Sequence, residues 1–545
     1  MDRPSRLRGD LLLPVGSALL ALVVYQAVAA RHPVEWDGAQ LVMGLDHFDV
    51  ANGTPHPPGY WLYLTAGRLV RAVTPLDGTA ALTLVSSLAA AAAVGLVAAL
   101  GRAMGGRLVG VMAAGLVLTS PFVWFYAASV DTYTLDALAG VVLLTLAWHA
   151  RPGSGHGVAA AVALGLAAGF RQTSLLVFAP IAVIAMARSA RSLRTWAVGG
   201  LAGAAAIASW LVPMLSEQPG GFSAWRAASD ELLAGSVEQT SVLTGTAEVV
   251  TRNLVQGSTY AFVAFLPALV AATAALVALA ARGRSPGHAG NGERRSTPDQ
   301  GRPRWATAPV LAAAGSLPAL AFLLLIHFGK AGYLLAVVPA GVLLLLLPVR
   351  SLPGRSRVAV AVVVALVCAI SAQRFLAGPG IVPSRVVDAR PIFFTRSVNG
   401  APFTFTHQVI EESDRLTDQQ LGLRERFDPA TDVLVWGWLN GGDRYRHGTL
   451  TLPEFTTAFV RDSMHLHTAR DLRWTTDPDR QVEVPPGGRA VFVLDHVSPD
   501  LQALLDQGLA TGVRLGTGLT VWVVEPGVTL LGVDVVEGTP AVDLP

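Results

Sequence analysis

The sequence predicts a polytopic α-helical membrane protein of about 11 spans, followed by a C-terminal extracytoplasmic α/β domain. Three observations lead there. Hydrophobic residues make up 52% of the 545 and charged residues 14%, more apolar sequence than a soluble core needs. Apolar runs suited to roughly 30 Å of hydrocarbon recur along residues 1–374. Beyond them the apolar residues shorten into strand-like alternations.

The runs fall at 11–30, 79–100, 108–126, 133–150, 157–170, 174–187, 195–213, 258–281, 306–326, 331–349 and 357–374. Each must be helical, because lipid offers its backbone no hydrogen-bond partner. The short pair 157–170 and 174–187 could also be divided differently. Ala27-Val28-Ala29 behind an arginine-rich start also admits a cleaved signal peptide, although the run is long enough to span.

Arginine sets the orientation. Lys330 is the only lysine, so 39 of the 40 basic residues are arginine. Arg3, Arg6 and Arg8, the turn with Arg102 and Arg107, the segment with Arg188, Arg191 and Arg194, the six arginines of 282–305, and the turn with Arg350, Arg355 and Arg357 all fall on one side. Loop 214–257 opposite carries five acids against two arginines. The positive side is cytoplasmic, which puts the N-terminus inside and residues 375–545 outside. Residues 283–304, rich in Gly, Pro, Ser, Arg and Asn, have the composition of a disordered inner loop.

The tail has strand-like runs at Asp432–Trp438, Ala490–Leu494 and Leu519–Val524, with a helical stretch at Pro499–Leu509. Cys368 is the sole cysteine and lies in an apolar run, so no intramolecular disulfide supports this domain. The net charge of +2 gives no case for a nucleic-acid partner. The P-loop, Rossmann and HExxH patterns are absent from the sequence.

The first outer loop, 31–78, carries the densest chemistry: His32-Pro33-Val34-Glu35-Trp36-Asp37-Gly38, then Asp46, Asp49 and Thr54-Pro55-His56-Pro57-Pro58-Gly59-Tyr60. Pro55, Pro57 and Pro58 force extended backbone and place His56 on a rigid strap. Residues 60–73 follow as an amphipathic helix suited to the membrane surface. Ordinary solvated acids would give the same composition. A second acidic site, Ser129-Val130-Asp131-Thr132-Tyr133-Thr134-Leu135-Asp136, follows the third span. Asp131 has the position of a helix cap, whereas Asp136 sits one turn deeper, and intramembrane acids default to function. Phe170-Arg171-Gln172 and His327-Phe328-Gly329-Lys330 put two cations at outer turns. Either could snorkel to headgroups or hold a lipid phosphate. Trp436 and Trp438 could stack on sugar, or could simply alternate in a strand.

These residues resemble the GT-C superfamily of membrane glycosyltransferases. Asp37-Gly38 followed by His56-Pro57-Pro58-Gly59-Tyr60 resembles the branch related to protein O-mannosyltransferases, with Trp61 in place of the usual proline. Asp131-Thr132-Tyr133-Thr134-Leu135 is similar to that branch's Glu-Val-Tyr-x-Leu segment. Gly165–Pro180 resembles its short helix pair, and Lys330-Ala331-Gly332-Tyr333-Leu334-Leu335 its RYLLP element. The resemblance implies transfer of one sugar from a polyprenyl-phosphate donor to a protein, lipid or polysaccharide acceptor at the outer face, with inversion. It implies Asp37 as general base and Asp131 in support of the acceptor or of a divalent metal (Mg or Mn) held with Asp37. His56, Arg171 and Lys330 would bind the donor phosphate, with Tyr60 and Tyr133 in support. A transporter or lipid flippase with an outer domain is the rival; the sequence shows no inverted repeat to favour it. A non-enzymatic protein whose outer domain binds cell-wall polymer is a further rival.

Overall fold

The computed structural model describes residues 3–34, 36–242, 246–283, 308–325 and 331–377. In the tail it describes 405–411, 414, 418, 426–428, 432–437, 466–469, 487–493, 499–516 and 520–524. The chain divides into two compact units. The first comprises Met1–Ala29, Pro57–Thr395 and Phe405–Gln408, and the second Ala30–His56, Arg396–Thr404 and Val409–Pro545.

The first unit is helical, and each apolar run has its helix. They are α1 (Arg3–Gln26), α4 (Gly78–Gly105), α5 with α6 (Arg107–Leu118 and Pro121–Ala127), α7 (Tyr133–His149), α8 (His156–Phe170), α9 (Thr173–Ser189), α10 (Leu193–Glu217), α12 (Ala247–Gly283), α13 (Ala308–Leu325), α14 (Val338–Leu346) and α15 (Gly354–Ala377). The loops carry three more: α2 (Trp36–Met43, in the second unit), α3 (Trp61–Val73) and α11 (Gly221–Thr240). Residues 157–187 are two helices, divided by Arg171 and Gln172.

Among the described residues, five helices are long and apolar enough to cross a bilayer alone: α4, α10, Tyr260–Ala281 of α12, α13 and α15. The bent pair α5–α6 makes a sixth. The run 108–126 is not one straight rod: its halves meet at 61°. Pro121 causes the break, because it lacks an N–H and drives Ser120 to extended backbone (ψ 122°). Similarly, 331–349 begins as a 3-10 turn, Ala331–Ala336, before Pro339 opens α14.

The core centres on α4, whose Leu82, Ala90, Val94, Val97 and Ala98 are fully buried. It packs against α1, α5 and α7. Small residues permit this closeness: a Cβ on Gly95 would fall 2.8 Å from the Pro14 carbonyl oxygen of α1. On the outside, apolar side chains face away from the protein, as with Leu201 of α10 (72% exposed) and Leu366 of α15 (60%). That inverts a soluble surface and matches a lipid-facing one. The chain is a multi-pass membrane protein.

The second unit contains a five-stranded sheet of order β2-β1-β3-β5-β4. Its strands are β1 (Val433–Gly437), β2 (Leu466–Ala469), β3 (Ala490–Val493), β4 (Ala510–Arg514) and β5 (Thr520–Val524), with helix α16 at Pro499–Asp506. β1 runs parallel to β2 and β3, and β5 antiparallel to β3 and β4. The three strand-like runs read from the sequence are β1, β3 and β5. β2 and β4 lie at the sheet edges; in β4 only Ala510 is buried, which leaves no apolar alternation to detect. Buried Asp432 ties β1 to β3: it accepts from the Arg489 backbone N–H (2.9 Å), from Arg489 Nε (3.1 Å) and Nη2 (2.5 Å), and from the Asp428 N–H (2.8 Å).

Candidate active site

The first unit holds a buried polar cluster where the α6–α7 connection meets the α8–α9 turn. Asp131 and Thr132 precede α7, and both are buried. The Asp131 carboxylate accepts from the Thr132 N–H at 2.6 Å, and its backbone carbonyl accepts from Ser86 Oγ of α4 at 2.7 Å. Ser86 also bonds Tyr63 Oη of α3 at 2.8 Å. A polar relay therefore fixes Asp131 from two neighbouring helices, inside an otherwise apolar core.

Arg171 forms the turn between α8 and α9 and is only 5% exposed. Its Nε lies 3.0 Å from Oδ2 of Asp136, in the first turn of α7. Ser174 of α9 donates to the other Asp136 oxygen at 2.7 Å. The guanidinium carbon is 4.3 Å from the Tyr133 ring centre and 4.6 Å from that of Tyr333, while those rings are 5.2 Å apart. The cation is thus wedged into a notch between two tyrosines, where each ring face attracts it. Nη1 reaches Thr132 Oγ1 at 3.4 Å. A small gap, with room for about one water molecule, adjoins Asp136, Ser174 and Tyr333, walled by α9 and α13.

The proline strap stands as expected: residues 53–60 contain no helix, and α3 begins at Trp61. The Pro58 carbonyl accepts from Gln172 Nε2 (3.4 Å) and Trp225 Nε1 (3.2 Å), which anchors Pro57–Tyr60 beside the Arg171 turn. Tyr60 has a φ of 46°, left-handed backbone that costs a residue with a Cβ on the order of 1 kcal/mol. α3 buries Trp61, Tyr63 and Leu64, leaves Leu69 and Val73 exposed, and is clamped by Arg68 to Glu217 at 2.7 Å.

The second unit carries the other half of the first outer loop. Asp37 lies in the first turn of α2. Three residues on, Gln40 Oε1 meets His56 Nδ1 at 2.8 Å, so His56 sits on the helix face that Asp37 shares. Asn52 donates to the Asp49 carboxylate at 2.6 Å, closing the intervening loop. Asp414 accepts from the backbone N–H groups of Arg31 and His32 at 3.0 Å each, and Asp418 bonds Arg31 Nη2 (2.7 Å) and His32 Nε2 (2.9 Å). Burial pushes the Asp414 carboxyl up despite those N–H bonds. For Asp418 partial burial pulls the same way, but His32 and Arg31 outweigh it and hold it below the usual range.

Of the residues singled out in the sequence, Asp131, Tyr133 and Arg171 come together in the first unit, beside the strap that ends in Tyr60. Asp37 and His56 share the second unit. Lys330 lies outside the described residues, as does Trp438; Trp436 is in β1. Sequence reasoning missed Tyr333 and Ser174 as partners of the cation and its acid. Ser86 was missed too. Among the described residues, no three His, Cys, Asp or Glu side chains converge to hold a metal ion.

Residues 49–194 match the family described as Protein O-mannosyl-transferase TMEM260 N-terminal domain. No curated protein matches the sequence. Among solved structures, ArnT from Cupriavidus metallidurans bound to undecaprenyl phosphate is similar, with a TM-score of 0.55 and 15% identity over 95% of this chain and 98% of that one. The same protein in the apo state gives a TM-score of 0.53 and 16% identity over 93% and 97%. The chain has an ArnT-like fold.

Proposed function

We propose that this chain, of the GT-C superfamily and its branch related to protein O-mannosyltransferases, transfers a single sugar from a polyprenyl-phosphate donor to an acceptor at the outer membrane face. The observation that carries this reading is the family match over residues 49–194, because that stretch contains His56, Tyr60, Asp131, Tyr133 and Arg171. The similar ArnT binds undecaprenyl phosphate, a ligand whose phosphate suits a buried guanidinium. All eleven helical segments cross the bilayer in this reading, with the N-terminus cytoplasmic and the sheet domain outside.

In the reaction Asp37 takes the proton from the acceptor hydroxyl while the oxygen attacks the anomeric carbon opposite the phosphate. The glycosidic bond forms, the bond to phosphate breaks, and the configuration inverts. Arg171, with His56 and Lys330, stabilises the charge growing on the departing polyprenyl phosphate. Asp131, rigidly held through Ser86 and Thr132, supports the acceptor. A divalent metal held by Asp37 and Asp131 would neutralise phosphate charge; the described residues supply no third carboxylate or histidine for it.

Glycan analysis of a deletion strain names the missing linkage. Restoring the strain with Asp37→Asn should leave that linkage absent at normal protein level, a loss of about 10²–10⁴-fold for a missing base. Normal transfer by this variant would remove Asp37 from the mechanism. Loss of lipid translocation with every linkage intact would favour the flippase instead.

A further inference from the structure

Asp136 has no part in the reaction as written above, yet it is a buried acid in a membrane helix, 6% exposed. Such a group is costly to keep there, and its retention calls for a use. Its surroundings are specific. Ser174 anchors one carboxylate oxygen at 2.7 Å, and the other faces Arg171 Nε at 3.0 Å. That approach is too oblique for the Nε–H to make a hydrogen bond. Asp136 therefore acts on Arg171 through charge.

The guanidinium is otherwise under-used. Among the described residues the long 3.4 Å contact from Nη1 to Thr132 is its one hydrogen bond, and Nη2 makes none. Toward the described residues this buried arginine therefore keeps N–H donors to spare. Its freedom is nevertheless small: Tyr133 and Tyr333 hold it at 4.3 and 4.6 Å, and Asp136 fixes the Nε side. That leaves the outer Nη edge, the pair of donors that engages a phosphate.

We infer that Asp136 is a positioning residue for the transfer, holding Arg171 so that its Nη edge is presented to the donor phosphate. This rests on the reading under Proposed function. The consequence is a particular separation of binding from turnover. Removing the Asp136 charge leaves Arg171 uncompensated, so attraction for an anion is kept or increased. The guanidinium, however, loses the charge that orients it, and a misplaced stabilising group costs rate.

The test uses the full-length protein in detergent. Binding is measured with undecaprenyl phosphate, and turnover with undecaprenyl-phosphate-linked mannose and arabinose in the presence of solubilised membranes of the deletion strain as the source of acceptor, each normalised to folded protein. Asp136→Asn should bind undecaprenyl phosphate at least as well as the wild type within threefold, while kcat falls tenfold or more. Ser174→Ala, which frees the carboxylate without touching the charge, should lower kcat about threefold and leave binding alone. Should Asp136→Asn not accumulate, Ser174→Ala decides. If folded variants keep kcat within twofold of the wild type and only yield changes, Asp136 is merely structural and the inference fails. A wild-type protein that consumes neither donor overturns the reading beneath it, and the inference with it.

Discussion

The ring of Tyr133 lies directly on the backbone of Gly332: a Cβ added there would sit 2.2 Å from Cδ2 of the ring. Gly332 belongs to the turn that also supplies Tyr333, so the two tyrosines against Arg171 are set by one close backbone approach. Gly332→Ala should push Tyr133 off the cation. A stability loss of about 1–3 kcal/mol is expected from overpacking, and a fall in transfer beyond what the unfolded fraction explains. Thermal unfolding read beside kcat separates the two effects; normal kcat in folded Gly332→Ala would show that the notch can open without consequence.

Ser86 is the joint between Tyr63 and the Asp131 carbonyl. Ser86→Ala removes the donor to the buried Asp131 carbonyl, at a cost of roughly 1–3 kcal/mol, while the Tyr63 hydroxyl keeps the Leu82 carbonyl at 3.0 Å. Transfer should fall with it, whereas Glu217→Gln, which cuts the half-exposed clamp to Arg68, should shift stability by less than about 1 kcal/mol. Equal melting temperatures for the two variants would contradict the ranking.

Acid should loosen the sheet domain. Burial works to raise Asp432, but Arg489 and the N–H donors prevail and hold it below the usual range, and Asp418 is depressed likewise. A depressed carboxyl stabilises the fold above its unfolded pKa, and that contribution is lost as pH falls through the folded one. The window is therefore below about pH 4. Asp414, raised by burial, has the opposite sign and relaxes as it gains a proton. Hydrogen exchange at β1 and β3 amides should accelerate in that window, and Asp432→Asn should lose most of this dependence. An unchanged pH profile in the variant would assign the acid response elsewhere.

Much of this was legible because lipid imposes simple rules. Apolar length located the helices of the first unit, and Pro121 and Pro339 announce the two irregularities once their missing N–H groups are considered. The first loop and the Asp131 segment carried their own residue types. Pairing was not legible. Asp136 and Arg171 are 35 positions apart, and nothing local says which acid meets which cation. Arg31 and Asp414 are separated by 383, and the RYLLP-like element that holds Tyr333 gave no sign that this ring would meet Arg171. Edge strand β4 was invisible because it buries a single residue.

The helices that carry Arg171 are short, 15 residues in α8 and 17 in α9, or about 22 and 26 Å at 1.5 Å per residue. Each falls a little short of the roughly 30 Å of hydrocarbon, so in the proposed orientation the turn between them need not rise into water, and the cation is met within the membrane's own thickness. A lipid-anchored donor would then reach it by lateral diffusion alone, without leaving its leaflet. Encounter becomes a search in two dimensions, and the concentration governing its rate is counted per area of membrane rather than per volume of water.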